Sequence, residues 1–205
     1  MKRRCLLAAL LFAATAPTAD AQEGMGKLSV PQLLELAKAT YSGDICWWDT
    51  VEANTEEFGS WDLTFRYEYE AEDGPDRIAR LYQMPCSYGA YNVGSLFFFQ
   101  TEFEGLVPLH FAQPELDIEY DGDDDAVVKS IGVIGFQTTY SLVNAEFDEE
   151  TRTIRSFSRW RGIADASSSG TWSFIDGHFV LTQFDVDASY DGESTPVTIY
   201  SAAGR

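Results

Sequence analysis

The sequence predicts a mainly β protein, an antiparallel sandwich or barrel-like sheet preceded by one N-terminal α-helix. Residues 61–70, WDLTFRYEYE, place an apolar or aromatic side chain at every odd position and a polar one at every even position. That period of two marks a half-buried antiparallel strand. In residues 172–181, WSFIDGHFVL, Asp176-Gly177 stands between two β-rich runs, the pattern of a two-residue type I′ hairpin. That register sets Phe174 opposite Phe179 and Trp172 opposite Leu181 on one face, with Ile175 and His178 on the other. A helical apolar stripe is clear only near the N-terminus.

That helix is predicted over residues 30–41. Ser29-Val30-Pro31-Gln32 reads as a capping box with Pro31 in the first turn, and Leu33, Leu34, Leu36 and Ala37 supply the stripe. Its expected role is to cover one side of a sheet. Ser42-Gly43-Asp44 stops it just before Cys46. Further strands are predicted at 77–84, 94–103, 106–112, 116–120, 126–137, 139–147, 153–160, 171–175, 178–186 and 195–201. Leu96 to Phe99 is continuously apolar, as in a strand covered on both faces. Phe147 to Ile154 reads as a second hairpin with a longer loop, and Ser167-Ser168-Ser169-Gly170 as a serine-rich loop. Fourteen Phe, ten Tyr and five Trp suffice to fill a core, which argues against disorder.

The N-terminus predicts export. Met1-Lys2-Arg3-Arg4 is basic, Cys5 to Ala16 is almost wholly apolar, and Ala19-Asp20-Ala21 supplies a small-x-small cleavage site. Residues 1–21 are therefore read as a signal peptide and 22–205 as one β-rich domain. No later run approaches the roughly 18 apolar residues of a membrane span, so no membrane insertion is expected. Removing residues 1–21 takes away Lys2, Arg3, Arg4 and Asp20, which moves the formal charge from −19 to −21. So acidic a chain repels nucleic acid and suits cationic or envelope partners.

Two cysteines remain after cleavage, Cys46 and Cys86, and an exported chain with two cysteines is expected to pair them. A Cys86–His110 thiolate dyad is disfavoured by export and by the second cysteine. Zinc is disfavoured because nothing resembles paired ligand spacing. Asp117, Glu119, Asp121, Asp123 and Asp125 form an acidic run whose spacing partly follows a calcium loop. Val128 stands where the bidentate Glu belongs, so a weak calcium site is set against a solvated acidic turn. Arg159 and Arg161, with Arg155 and Trp160, form a basic aromatic patch that either grips an anion or neutralises neighbouring carboxylates.

Cys86-Ser87-Tyr88-Gly89-Ala90-Tyr91-Asn92 resembles the Cys-x-x-Gly-Ala-Tyr-Asn signature of an uncharacterised periplasmic family of Gram-negative bacteria, catalogued as a domain of unknown function. Phe147-Asp148, Thr151 to Ile154, Ser156-Phe157, Arg161-Gly162-Ile163, Trp172, Asp176-Gly177, Phe179 and Leu181 are similar to its C-terminal part. The resemblance spans residues 80–192 and implies a periplasmic location. It implies cysteines where this chain has Ala166 and Tyr190, so it implies that a second disulfide has been lost here.

The functional expectation is an exported, non-enzymatic binding or envelope-associated module. Tyr91, Asn92, Arg159 and Arg161 are its candidate ligand-binding residues. No catalytic residue and no cofactor other than calcium is assigned. The alternatives are an envelope-polymer hydrolase using an Asp/Glu pair and a weak calcium-binding protein acting through residues 117–125.

Overall fold

A computed structural model describes residues 25–122 and 124–202. The predicted signal peptide lies outside them. In chain order the elements are α1 (Val30–Thr40), α2 (Trp48–Ala53), β1 (Gly59–Phe65), β2 (Arg77–Tyr88), β3 (Val93–Thr101), β4 (Gly105–Pro108), β5 (Phe111–Asp121), β6 (Asp124–Thr139), β7 (Ser141–Val143), β8 (Glu146–Asp148), β9 (Thr153–Arg159), β10 (Ser167–Ile175), β11 (His178–Asp187) and β12 (Val197–Ser201).

Among the described residues every strand pairing is antiparallel, and none of the sheets closes into a barrel. One sheet runs β1-β2-β3-β4, with β7 also paired to β3; a second runs β12-β11-β10-β9-β8; β5 and β6 form a two-stranded hairpin. Side-chain alternation along β2 and β3 builds three layers. Leu81 pairs with Phe99, and both face the second sheet, where they join Phe147, Ile154, Trp172 and Leu181 in one core. Tyr82 and Met84 pair with Phe98 and Leu96, and these face the other way, against Leu33, Ala37 and Val51 of the helices. Leu96 to Phe99 of β3 are therefore apolar without interruption because both faces of that run are covered.

Helix α1 follows its sequence signals. The Gln32 side chain accepts the Ser29 N–H at 2.9 Å, which satisfies one orphan donor of the first turn. A short helix that the sequence did not announce, α2, follows the Cys46–Cys86 disulfide, which fastens the helical layer to β2. The Trp47 N–H also donates to the Cys86 carbonyl, at 2.7 Å.

The β10–β11 register is the predicted one, with Phe174 opposite Phe179 and Trp172 opposite Leu181. Asp176 and Gly177 take φ of 49° and 83°, the left-handed pair that a type I′ turn requires. Phe147 pairs with Ile154 across the second predicted hairpin.

Several strand boundaries differ from expectation. β1 ends at Phe65 rather than near residue 70, because side chains take its backbone donors. The Tyr67 N–H donates to Glu70 Oε2 at 3.0 Å, and the Glu68 N–H donates to Asp176 Oδ1 at 3.1 Å. The segment 139–147 is cut into β7 and β8 by Asn144, whose φ is 44°. Serines 167–169 begin β10 instead of forming a loop. They are small residues in a crowded layer, where the Trp172 ring covers Gly170 so closely that an added Cβ would meet it at 2.4 Å.

Candidate functional site

The residues singled out in the sequence converge at one end of the strands, where the β2–β3 turn meets the end of β9. There the Asn92 side-chain amide donates to the Arg159 carbonyl at 2.8 Å, and its Oδ1 accepts the Arg159 N–H at 3.2 Å. Asn144 stands beside it. Its Nδ2 donates to Asn92 Oδ1 at 3.0 Å and to the Phe157 carbonyl at 2.9 Å, while its Oδ1 accepts the Val93 N–H at 2.8 Å. Two asparagines thus stitch the first sheet to the second. The Tyr91 ring lies alongside Gly162.

Arg161 closes the same end. Its guanidinium forks onto both carboxylate oxygens of Asp165, donates to the Tyr190 carbonyl at 2.9 Å and lies over the Tyr190 ring. Asp165, 2 % exposed, also accepts the Gly192 N–H at 2.9 Å. The Arg161 fork, helped by the Gly192 and Ala166 N–H groups, holds the Asp165 carboxyl well below the usual carboxylate range. Residues 161–166 and 190–192, where the family resemblance implies cysteines at positions 166 and 190, are joined here by Arg161 and Asp165. The polar atoms of Asn92 and the Arg161 fork are therefore engaged within the protein.

The acidic run lies elsewhere. Asp117, Glu119 and Asp121 occupy alternate positions of β5, and all are exposed. Two residues of extended strand advance about 6.7 Å, so these carboxylates form a row rather than a ring. Glu119 pairs with Lys129 at 3.2 Å. The Asp125 carbonyl accepts the Tyr190 N–H at 3.2 Å, and Asp123 lies outside the described residues. Among the described residues no three His, Cys, Asp or Glu side chains converge as ligands of a metal would.

A pocket that the sequence did not point to lies at the opposite end of the strands, between the β3–β4 and β10–β11 turns. Its volume is about 240 Å³. Phe99 and Phe179, ring centroids 6.0 Å apart, line it together with Val107 and Leu109. The polar lining is Thr101, Glu104, His110 and His178, so both histidines of the chain line one cavity. Each histidine is placed by local rules. His110 lies in the two-residue link between β4 and β5, exposed between Leu109, which packs against the core, and the buried Phe111. His178 opens β11 straight after the tight turn. Gly177 is required there on two counts, its positive φ and the Phe65 ring, which a Cβ would meet at 2.8 Å.

Beyond the mouth, aromatic side chains stand in solvent. Tyr67 stacks on Tyr69 at 5.2 Å with planes 9° apart, and Tyr69 is 80 % exposed. Phe103 is 67 % exposed. The Arg77 guanidinium bridges the two parts of this rim, 5.3 Å from the Tyr67 centroid and 4.6 Å from that of Phe103. Glu70 holds it with two hydrogen bonds to its Nε of 2.9 and 3.0 Å. Burial and the neighbouring Tyr69 raise the Tyr67 hydroxyl above its ordinary value.

Two other cavities are wider. One, of about 680 Å³, separates β6 from β11 and β12; the second, of about 430 Å³, lies over residues 43–50 beside the disulfide. In the larger, Asp187 is already saturated by Ser189 and by the Thr195 N–H. The aromatic pocket differs in that no hydrogen bond within the protein engages its histidine side chains among those described.

The DUF1176 family model, described as a protein of unknown function, matches residues 71–193. The chain belongs to this family. The matched DUF1176 span contains the asparagine stitch, the Arg161–Asp165 pair and all of the pocket lining except Tyr67. It begins after α1, Cys46 and β1, so one half of the disulfide precedes it. No curated protein and no solved structure matches the chain.

Proposed function

We propose that this DUF1176 protein is an exported, non-enzymatic binding module whose ligand is a small ring-bearing molecule with an apolar body and one polar head. One observation carries the reading: a cavity of about 240 Å³ floored by aromatic and aliphatic side chains, with both histidines and Glu104 at its polar margin. Small-molecule sites typically combine an apolar lining with a few polar groups that fix orientation. The exposed Tyr67–Tyr69 stack and Phe103 extend the same chemistry outward. Glu104 is the one carboxylate in the lining, which supports binding over two-carboxylate hydrolysis. The basic and apolar N-terminus and the disulfide support export, and the periplasm is the compartment that the family resemblance implies.

The test is calorimetric titration with indole, phenol, phenylethylamine and benzoate. Saturable binding is expected for the neutral and cationic compounds, with benzoate weakest because Glu104 and the acidic surface repel it. Leu109→Trp, which fills the cavity, should abolish that binding. Absence of saturable binding by all four, or binding untouched by Leu109→Trp, would overturn the proposal.

A further inference from the structure

The polar margin of the aromatic pocket carries one sign of fixed charge. Glu104 lines it, and no lysine or arginine does. Among the described residues Glu104 has no basic partner, whereas the nearby Glu70 and Glu102 both hold Arg77. Asp176, in the β10–β11 turn, adds a second carboxylate. It and Glu104 help to raise the Tyr67 hydroxyl, behind burial and Tyr69 as causes. The rim shows what such surroundings accept. The Arg77 guanidinium lies over the rings of Tyr67 and Phe103 while Glu70 and Glu102 pair with it. A planar cation is thus already held at the mouth by ring faces and carboxylates together. Tyr67 and Phe103 also line the cavity, where Phe99 and Phe179 supply further rings and Glu104 a further carboxylate, and Arg77 itself is not part of that lining.

Resting on the reading of this cavity as a binding site, we propose that the polar head of its ligand is a cation: the site takes an organic ammonium ion with an aromatic body, its ring against Phe99 and Phe179 and its nitrogen toward Glu104. Three features select that head. Glu104 supplies a carboxylate that no side chain of the protein neutralises. The negative ring faces attract an ammonium group, as those of Tyr67 and Phe103 attract Arg77. His110 and His178, when neutral, each offer a ring nitrogen that accepts an N–H. A carboxylate or phosphate head would instead meet Glu104 with no lysine or arginine in the lining to hold it. The formal charge of −19 acts in the same direction, drawing cations to the surface and repelling anions. Glu104 is exposed, so solvent weakens its pull, and the preference for a cationic over a neutral head is about fivefold.

Calorimetric titration of the full chain with phenylethylamine and with 2-phenylethanol, which carries a hydroxyl in place of the ammonium group, tests this. The amine should bind about fivefold more tightly than the alcohol, and sodium chloride should narrow the gap by screening the exposed carboxylate. Glu104→Gln should bring the ratio of the two affinities close to one. Glu193→Gln, the same change of charge at the opposite end of the strands, should leave the ratio as it is in the native chain. A cavity that binds indole but does not prefer the amine, or a preference that survives Glu104→Gln, would overturn the cationic head and leave the binding site standing. Absence of saturable binding by the amine, the alcohol and indole alike would overturn the binding site and the cationic head together.

Discussion

The two ends of the strands use polar side chains in opposite ways. At the end where β2 turns into β3, Asn92, Asn144, Arg161 and Asp165 donate and accept within the protein and join its loops and sheets. At the other end, where β10 turns into β11, His110, His178 and Glu104 surround an aromatic cavity. β10 alone, nine residues long, separates the ends by about 30 Å. A cluster of polar and basic residues in the sequence is thus no guide to binding. What matters is whether their hydrogen-bonding capacity is already consumed, and only the folded chain shows that.

The largest effect belongs to the disulfide, which anchors the helical layer near the stitched end. Cys46→Ser with Cys86→Ser opens a loop of 40 residues and should cost on the order of 4 kcal/mol of unfolding free energy. Chemical denaturation measures that loss, and calorimetry with indole should find the pocket unaltered in the folded variant. Next comes Asn144→Ala. It removes the stitch and places alanine at a φ of 44°, where asparagine is tolerated. About 2–3 kcal/mol should be lost, again without change in the pocket.

Asp165→Asn sharpens the comparison through pH. The carboxyl of Asp165 is depressed in the folded protein, so its contribution is complete above the unfolded value and fades as pH falls below it. The stability gap between native protein and variant should be constant above about pH 5 and should shrink as pH drops below the ordinary aspartate value of 3.8. Thermal melts at a series of pH values follow it. The smallest stability effects belong to the pocket. His110→Ala and His178→Ala should each change unfolding free energy by less than about 0.5 kcal/mol, since both side chains are exposed. A loss of several kcal/mol at either histidine would make the pocket end structural too and erase the contrast.

Much of the fold was legible because local rules dictated it. The Asp176-Gly177 turn fixed a register that then propagated along β10 and β11. The unbroken apolar run of β3 announced burial on both faces, and the expectation of export predicted the pairing of Cys46 with Cys86 that the structure contains. Where distant partners decide, the sequence was silent. β1 stops at Phe65 because Asp176, more than a hundred residues away, takes the Glu68 N–H. The pocket draws on Tyr67, on residues 99–110 and on residues 177–179, which no spacing motif connects. At the stitched end the sequence offered Tyr91, Asn92, Arg159 and Arg161 as ligand-binding candidates, with neutralisation of carboxylates as the other reading of the arginines, and the fold pairs Arg161 with Asp165. Asp165 stood four residues from Arg161 in plain view, but its burial came only with the fold.

The most direct test is a side-chain NMR titration that follows the imidazoles of His110 and His178 alongside the amide groups of Asn92 and Asn144 while indole is added. Saturable shifts at both histidines, with the asparagine amides unmoved, are the predicted result. Shifts at the asparagines, or histidines that stay still throughout, would contradict the division of the molecule into a binding end and a stitched one.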